Sequence, residues 1–267
     1  MNSMPRSVHA AALMALVLAT AFSPRGTTAQ QAAPVVAAAS DLQFALVDVA
    51  DAFEKKTGQT VMLTFGSSGN FARQIRQGAP FQVFFSANEE FVKDLAKDGF
   101  ARDGGTLYAI GRIVLMVPKG SPLKADGTFG DLKAALADGR LTRFAIANPE
   151  HAPYGARAEE ALRHAGLWDA IRPRLVFGEN VSQAAQFATS GNTQGGIIAY
   201  SLALAPKVAA LGSYELIPAQ WHQPLRQAMA LTRSAGPVAE AFYTFAKSPE
   251  ARGIFRRYGF VLPGEAP

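Results

Sequence analysis

Three short stretches of the chain could bind an anion without any basic side chain. They span residues 38–42, 65–70 and 85–88, and each places a serine or another small residue between an apolar, strand-like run and an amphipathic, helix-like run. Backbone N–H groups at the start of a helix have no partner within the helix, and a hydroxyl beside them adds another donor. The chain has no cysteine, and no metal or nucleophile motif accompanies these stretches. The pattern favours capture of an oxyanion over reaction with one.

Ser40, Ser68 and Ala87 are the candidate contacts within these stretches. Ser40 and Ser68 each follow a strand-like run and precede a helix-like one, so each could instead simply cap its helix. Ser86 and Glu89 fit a capping box, which leaves Ala87 to offer only its N–H. Helix N-termini meet beyond the carboxyl ends of parallel strands, so the three candidates would share one rim of a sheet.

Val181 and Tyr200 are the candidate contacts from the second half of the chain. Val181 follows Asn180 at the start of a helix-like segment, and Tyr200 closes a strand-like run. An enclosed oxyanion loses its hydration, and each hydrogen bond to a charged group returns about 1.5 to 3 kcal/mol, so several donors are needed. A site of neutral donors without an acceptor would favour a fully deprotonated tetrahedral dianion. We expect cavity size to discriminate among such dianions.

The first 29 residues have the composition of a secretory signal peptide. Arg6 precedes an apolar run over residues 10–22, and the small residues Thr27 and Ala29 precede the expected cleavage point. The run is shorter than the roughly 20 residues that a membrane-spanning helix needs. Because no cysteine is present to carry a lipid anchor, we expect a soluble protein in the periplasm, with no membrane insertion after cleavage.

Charge and composition argue against a nucleic-acid partner and against disulfides. Without Arg6 and Arg25 of the signal peptide, 24 basic residues stand against 21 acidic ones, and they are dispersed along the chain. This distribution predicts no nucleic-acid binding. The hydrophobic fraction of 49% is typical of a globular core, and the absence of cysteine excludes disulfides.

The order of predicted elements indicates an α/β protein with two lobes. Strand-like runs alternate with amphipathic segments, which predicts mostly parallel sheets flanked by helices. We interpret the apolar run 110–118, broken by Gly111, as a crossing into the second lobe, and the polar segment 218–224 as the return. Lobe 1 would comprise residues 30–111 plus 224–267, and lobe 2 residues 112–223. Two such crossings would form a hinge that closes the lobes on a ligand.

Several motifs spread over residues 34–262 carry a resemblance to a known family. The motifs are AAAS at 37–40, FGSS at 65–68, RQI at 73–75 with GAP at 78–80, FFSA at 84–87, VPK at 117–119, NPEHAPYG at 148–155 and FRRYGF at 255–260. Together they resemble the periplasmic molybdate-binding proteins of ABC transporters, which belong to the type II solute-binding class. The chain departs from the commoner pattern at Asn88, where Asp is usual, and around Tyr200.

The resemblance implies a fold, a ligand and a partner. The fold would be the type II periplasmic-binding-protein fold, and the ligand molybdate or tungstate, with no cofactor. The oxyanion contacts of the family fall on Ser40 and Ser68 through hydroxyl and N–H, on Ala87 and Val181 through N–H, and on Tyr200 through its hydroxyl. The partner would be the inner-membrane permease of a molybdate transporter, and we expect a monomer.

The residues leave other functions open. An enzyme is one alternative, but residues 66–69 do not form a Gly-x-Ser-x-Gly elbow and no histidine has a triad context, so we predict no catalysis. A ferric-iron-binding protein is another, but Tyr200 has no adjacent tyrosine, and we predict no direct cation ligands. The remaining alternatives are a protein for another tetrahedral oxyanion, such as sulfate, and an extracytoplasmic sensor domain.

Overall fold

Strand-forming runs build two separate five-stranded sheets. The computed structural model describes residues 32–265, and the predicted signal peptide lies outside the described residues. Within them the strands are β1 (Val35–Ala39), β2 (Met62–Gly66), β3 (Phe81–Ser86), β4 (Thr106–Gly111), β5 (Ile113–Pro118), β6 (Phe144–Ala147), β7 (Leu175–Gly178), β8 (Gly196–Ala199), β9 (Gly212–Leu216) and β10 (Leu225–Leu231).

Each sheet has four strands in one direction and one reversed strand. The first sheet has the order β2-β1-β3-β10-β4, and β10 is antiparallel to both of its neighbours. The second has the order β7-β6-β8-β5-β9, and here β5 is the antiparallel strand. The predicted fold class, two mostly parallel α/β sheets with two crossings between them, is confirmed.

Helices follow most of the strands. They are α1 (Ala45–Thr57), α2 (Ser68–Arg76), α3 (Glu89–Lys97), α4 (Gly130–Asp138), α5 (Pro153–His164), α6 (Trp168–Ile171), α7 (Val181–Thr189), α8 (Tyr200–Ala203), α9 (Pro206–Ala209), α10 (Pro237–Phe245) and α11 (Pro249–Arg257). Short 3₁₀ helices cover Ser40–Leu42, Arg172–Arg174 and Ala219–Trp221.

Helix α1 shows how local sequence sets these elements. Leu46, Val49 and Phe53 recur at helical spacing and are fully buried against the first sheet. The helix ends at Gly58, whose φ of 69° is left-handed and whose N–H bonds to the carbonyl of Glu54. Burial of this apolar face makes the main favourable contribution to the free energy of packing the helix on the sheet.

The two crossings between the sheets differ greatly in length. A single residue, Arg112, separates β4 of the first sheet from β5 of the second. The crossing that we expected within the run 110–118 therefore joins two strands that belong to different sheets. The return passes from β9 to β10 through residues 217–224. The lobe boundaries placed at these crossings stay a prediction.

The two sheets pack against each other through their strand ends. Ala39 is the last residue of β1, and Ala87 directly follows β3. Both are buried in the apolar cluster built by the second sheet and its helices. Residues from Ala33 onward form one compact unit. The elements that follow β1, β2 and β3 therefore lie directly against the second sheet.

Candidate anion-binding site

The carboxyl ends of three parallel strands bring the first group of candidates together. Ala39 at the end of β1 lies beside Gly66 at the end of β2, because the two strands are paired in that register. Ser40 directly follows β1, Ser68 begins α2, and Ala87 directly follows β3. Parallel strands end at the same edge of their sheet. The turns that follow β1, β2 and β3 therefore bring their backbone N–H groups to the same place.

One small cavity collects these residues with candidates from the second sheet. It has a volume of about 10 Å³, the scale of one water molecule. Its walls consist of Ala39, Ser40, Asp41, Gly66, Ser67, Ser68, Ala87, Ala152, Pro153, Tyr154, Asn180 and Val181. Four of the five predicted contacts therefore share one cavity, which must widen before any solute larger than water can enter.

Ser40 is held against the N-terminus of α7 by hydrogen bonds between the two sheets. The Ser182 N–H donates to Ser40 Oγ over 3.2 Å, and Ser182 Oγ lies 2.8 Å from the Ser40 carbonyl oxygen. Asn180 caps the same helix by accepting from the Gln183 N–H at 3.1 Å. Val181, the first residue of α7, is thus fixed beside Ser40 at the positive end of the helix dipole.

Ser68 and Ala87 are joined directly. The Ala87 N–H donates to Ser68 Oγ over 2.9 Å, and both residues are 1% exposed. Because Ser68 Oγ accepts this bond, its own proton stays available to a further acceptor. The pair therefore presents a hydroxyl donor whose position is fixed by backbone.

Gly69 and His151 approach each other closely, next in the chain to Ser68 and Ala152 of the cavity wall. The Gly69 N–H donates to the His151 carbonyl over 3.0 Å, and a Cβ on Gly69 would lie 2.7 Å from that oxygen. Ser67 Oγ donates to the same carbonyl at 2.5 Å. Glycine is therefore required sterically where α2 meets the loop before α5.

The contact of Ser67 with His151 also bears on catalysis. His151 Nδ1 lies 3.0 Å from Ser67 Oγ, and its Nε2 lies 3.6 Å from a Glu179 carboxylate oxygen. Sequence inspection missed this trio because its members are far apart in the chain. The Ser67 hydroxyl proton is directed to the His151 backbone carbonyl instead of the imidazole, so the serine is held as a structural donor.

Asp41 is the main feature of the cavity that sequence reasoning missed. It is 1% exposed, and its Oδ2 accepts from the Tyr154 hydroxyl at 3.0 Å and from Gln227 Nε2 at 2.8 Å. Burial raises the pKa of this carboxyl from 3.8 to about 6, against the hydrogen bonds from Gln227 and Tyr154 that lower it. The expectation of a cavity without an acceptor is therefore wrong.

A buried polar chain extends from Asp41 towards the crossing strands. Gln227 on β10 donates to the Tyr154 hydroxyl over 3.0 Å and accepts from the Tyr108 hydroxyl at 2.6 Å. Burial, followed by the nearby Asp41 charge, raises the pKa of Tyr108 and of Tyr154 well above its usual value. Both phenols stay protonated and act as donors.

Tyr200 is placed differently from the other four predicted contacts. It begins α8 directly after β8, and it is absent from the cavity walls given above. Its ring lies 5.9 Å from that of Tyr214 and packs over Gly259. A contact between Tyr200 and a ligand stays a prediction, while Tyr154 supplies the phenol in the wall of the cavity.

Within residues 32–265, two further kinds of feature are absent. No group of three or more His, Asp or Glu side chains is arranged to hold a metal ion. None of the helices described combines the length and apolar character required to cross a membrane.

A small cavity between two α/β sheets, lined by serines and by the first residues of two helices, with two chain crossings between the sheets, is the architecture of a solute-binding protein. The match extends over nearly the whole chain. The protein belongs to the bacterial extracellular solute-binding protein family, which matches residues 34–261.

Individual relatives are similar over their full length. The molybdate-binding protein ModA of Rhodobacter capsulatus is 35% identical over 265 residues, which cover 98% of this chain and 99% of that protein. The structure of the periplasmic molybdate-binding protein of Azotobacter vinelandii is 34% identical, with a TM-score of 0.78 over 86% of this chain and 99% of that one. The sulfate-binding protein SubI of Mycobacterium tuberculosis, 16% identical with a TM-score of 0.69 over 87% of each chain, shares the fold.

Proposed function

We propose that this protein binds molybdate, and also tungstate, in the cavity beside Ser40 and delivers the anion to the permease of an ABC transporter. The observation that carries the proposal is that Ser40, Ser68, Ala87 and Val181 line one cavity. The molybdate-binding relatives, similar over nearly the whole chain, support the choice of anion. The protein would act by binding and release, without catalysis and without a cofactor.

The donor chemistry of the cavity suits a tetrahedral dianion. Helices α2 and α7, nine residues each, both begin at the cavity with Ser68 and Val181. The positive ends of their dipoles attract negative charge without a mobile cationic side chain. Hydroxyls at Ser40 and Ser68 add donors from other directions, so four oxygens can be contacted from both sheets.

The proposal includes the lobes and the cellular setting. Residues 30–111 with 224–267 would form one lobe and residues 112–223 the other, and the lobes would separate to admit the anion. After removal of the signal peptide at residues 1–29, the mature protein would work as a monomer in the periplasm. The crossings at Arg112 and at residues 217–224 would provide the hinge.

Titration calorimetry of the mature protein tests the proposal. Molybdate and tungstate should bind at one site per chain, and sulfate, phosphate and ferric citrate should bind far more weakly. Ser40→Ala and Ser68→Ala should each weaken molybdate binding by about 1.5 to 3 kcal/mol, or roughly 10- to 150-fold, because each removes a hydrogen bond to a charged group.

The matched control is Ser213→Ala, an exposed serine on β9 away from the cavity, which should leave the affinity unchanged. Absence of molybdate binding would refute the proposal, and stronger binding of sulfate or ferric citrate would assign the site to that ligand.

A pair of tyrosine variants tests which phenol contacts the anion. If Tyr200 contributes as the family resemblance implies, Tyr200→Phe should reduce molybdate affinity by about 10-fold or more. Tyr154→Phe removes a hydroxyl from the cavity wall and one donor to Asp41, and it should also weaken binding. Calorimetry on both variants measures the contribution of each phenol, and an unchanged Tyr200→Phe would remove that residue from the site.

A further inference from the structure

We propose that Asp41 shares one proton with the bound oxyanion, so that the protein takes up a proton together with its ligand. This inference rests on the proposed function and concerns the same cavity. Asp41 follows Ser40 directly and forms part of the cavity wall. A carboxyl group there must either repel a dianion or hold a proton between itself and the anion.

The two oxygens of Asp41 have different surroundings. Oδ2 accepts two hydrogen bonds, from Tyr154 on α5 and Gln227 on β10. Oδ1 is buried and has no hydrogen-bond partner. Among residues 32–265 it is the one carboxylate oxygen that is buried without such a partner. An unpartnered buried oxygen is costly unless a ligand or a proton satisfies it. In this proposal Oδ1 is the oxygen that meets the anion once the lobes have separated to admit it.

No cation within the described residues offsets a charge on Asp41. No Lys, Arg or His side chain among them forms an ion pair or hydrogen bond with its carboxylate. Two negative groups in contact in a buried site repel each other strongly. One proton from solvent, held between Oδ1 and an oxygen of the anion, converts that repulsion into a charge-assisted hydrogen bond. No other bond forms or breaks, and no electron is transferred.

The groups that face Asp41 from the surrounding elements do not supply this proton. Tyr154 from α5 donates to Oδ2, Tyr108 from β4 donates to Gln227, and Ser201 from α8 donates to the Asp41 carbonyl at 2.8 Å. Burial keeps the pKa of both phenols well above its usual value. His151 Nδ1 lies 3.0 Å from Ser67 Oγ and its Nε2 3.6 Å from a Glu179 carboxylate oxygen, and neither nitrogen contacts Asp41. The proton on Asp41 must come from solvent.

The pH dependence of binding follows from these groups. Because burial raises the pKa of Asp41 to about 6, the free protein carries an ionised Asp41 above that pH. Molybdate affinity should then fall as pH rises above about 6, approaching 10-fold per pH unit, since each unit makes the required proton 10-fold scarcer. Below that pH the affinity should level off.

Calorimetry with molybdate between pH 6 and pH 8.5 tests the inference on the mature protein. At pH 8, titrations in two buffers of different ionisation enthalpy should report uptake of about one proton per anion. Asp41→Asn should abolish both the uptake and the pH dependence, and at pH 8 it should bind molybdate more tightly than the wild type. His151→Gln is the control for the other titratable group, and it should keep the wild-type pH slope.

The outcomes separate the two proposals. Wild-type protein that binds molybdate with the same affinity from pH 6 to pH 8.5 and takes up no proton would overturn the role of Asp41 while leaving the proposed function intact. Loss of the slope in His151→Gln would also overturn it, by assigning the proton to the imidazole. Wild-type protein that binds no molybdate at any pH would refute the proposed function itself. If Asp41→Asn fails to fold, the wild-type proton count decides.

Discussion

At the scale of single residues, Asp41 shows how a binding site departs from what folding alone favours. A carboxyl group that is fully buried is destabilising when ionised. The fold supplies two neutral donors, from Tyr154 and Gln227, and no ion-pair partner for it among the described residues. Burial favours the neutral form more strongly than these two hydrogen bonds favour the ionised one, so the pKa of Asp41 is raised.

The protonation of Asp41 should be visible in the stability of the protein. Because its pKa is 3.8 when exposed and about 6 in the fold, the folded state binds more protons between these values. The stabilisation is fully present below pH 3.8 and is lost as pH rises through about 6, a change of about 3 kcal/mol at 1.36 kcal/mol per unit of pKa. Asp41→Asn should therefore be more stable than wild type at pH 8.

Urea unfolding of the wild type and Asp41→Asn at pH 4 and pH 8 measures this difference. The advantage of the variant should approach about 3 kcal/mol at pH 8 and should shrink towards pH 4, where wild-type Asp41 is neutral. An equal difference at the two pH values would show that Asp41 titrates normally in the fold.

At the scale of secondary-structure elements, the junction of α2 with the loop before α5 determines how closely the two sheets can approach. Gly69 should tolerate no side chain, because its Cβ would lie 2.7 Å from the His151 carbonyl oxygen. Gly69→Ala should weaken molybdate binding by about 1 to 3 kcal/mol, the usual cost of overpacking. Calorimetry measures this change.

The control variant uses the same substitution in an open position. Gly253 lies within α11, and a Cβ there would meet no atom within 4 Å. Gly253→Ala should stabilise the helix by about 0.5 to 1 kcal/mol and leave the affinity unchanged. If Gly69→Ala behaves in the same way, the close approach is not needed for binding.

Regular elements were the part of the structure that the sequence predicted best. The alternation of strand-like runs with amphipathic segments predicted the two mostly parallel sheets flanked by helices that the structure shows. The sequence placed a crossing in the run 110–118 but not the residue at which it occurs, because the run is apolar on both sides of Arg112. The four-residue helices α6 and α9 are too short to show a helical period.

The candidate site was predictable only where local pattern and position coincide. Ser40, Ser68, Ala87 and Val181 each follow a strand, so topology brings them together. Asp41 was missed because its partners Tyr154 and Gln227 are 113 and 186 positions away. No local spacing relates residues at such separations, and the burial that gives Asp41 its character arises only when both sheets are in place.

At the scale of the whole molecule, ligand binding and folding are coupled. The donors at the cavity come from both sheets, and the residues from Ala33 onward form one compact unit. A ligand that binds the folded state alone adds about 2.7 kcal/mol at 100 times its Kd. For a chain of this size that corresponds to a rise in Tm of roughly 5 to 10 °C.

Thermal unfolding at graded anion concentrations measures this coupling. Molybdate and tungstate should raise the Tm progressively, and sulfate at the same concentrations should change it little. Ser40→Ala should need a higher molybdate concentration for the same rise. A Tm that responds equally to every anion would indicate a general salt effect.

The one-residue link at Arg112 limits how the two halves of the protein can move. Between β4 and β5 there are only the φ and ψ angles of that residue, so separation of the sheets must take the form of a swing about this point, with little sliding. The neighbouring Gly111 leaves no room for a side chain, since a Cβ there would lie 2.3 Å from the Tyr154 hydroxyl. That hydroxyl also contacts Asp41. The Tyr154 hydroxyl thus lies beside Gly111 at the pivot and also contacts Asp41 in the cavity wall. Rotation about the pivot must therefore change the cavity.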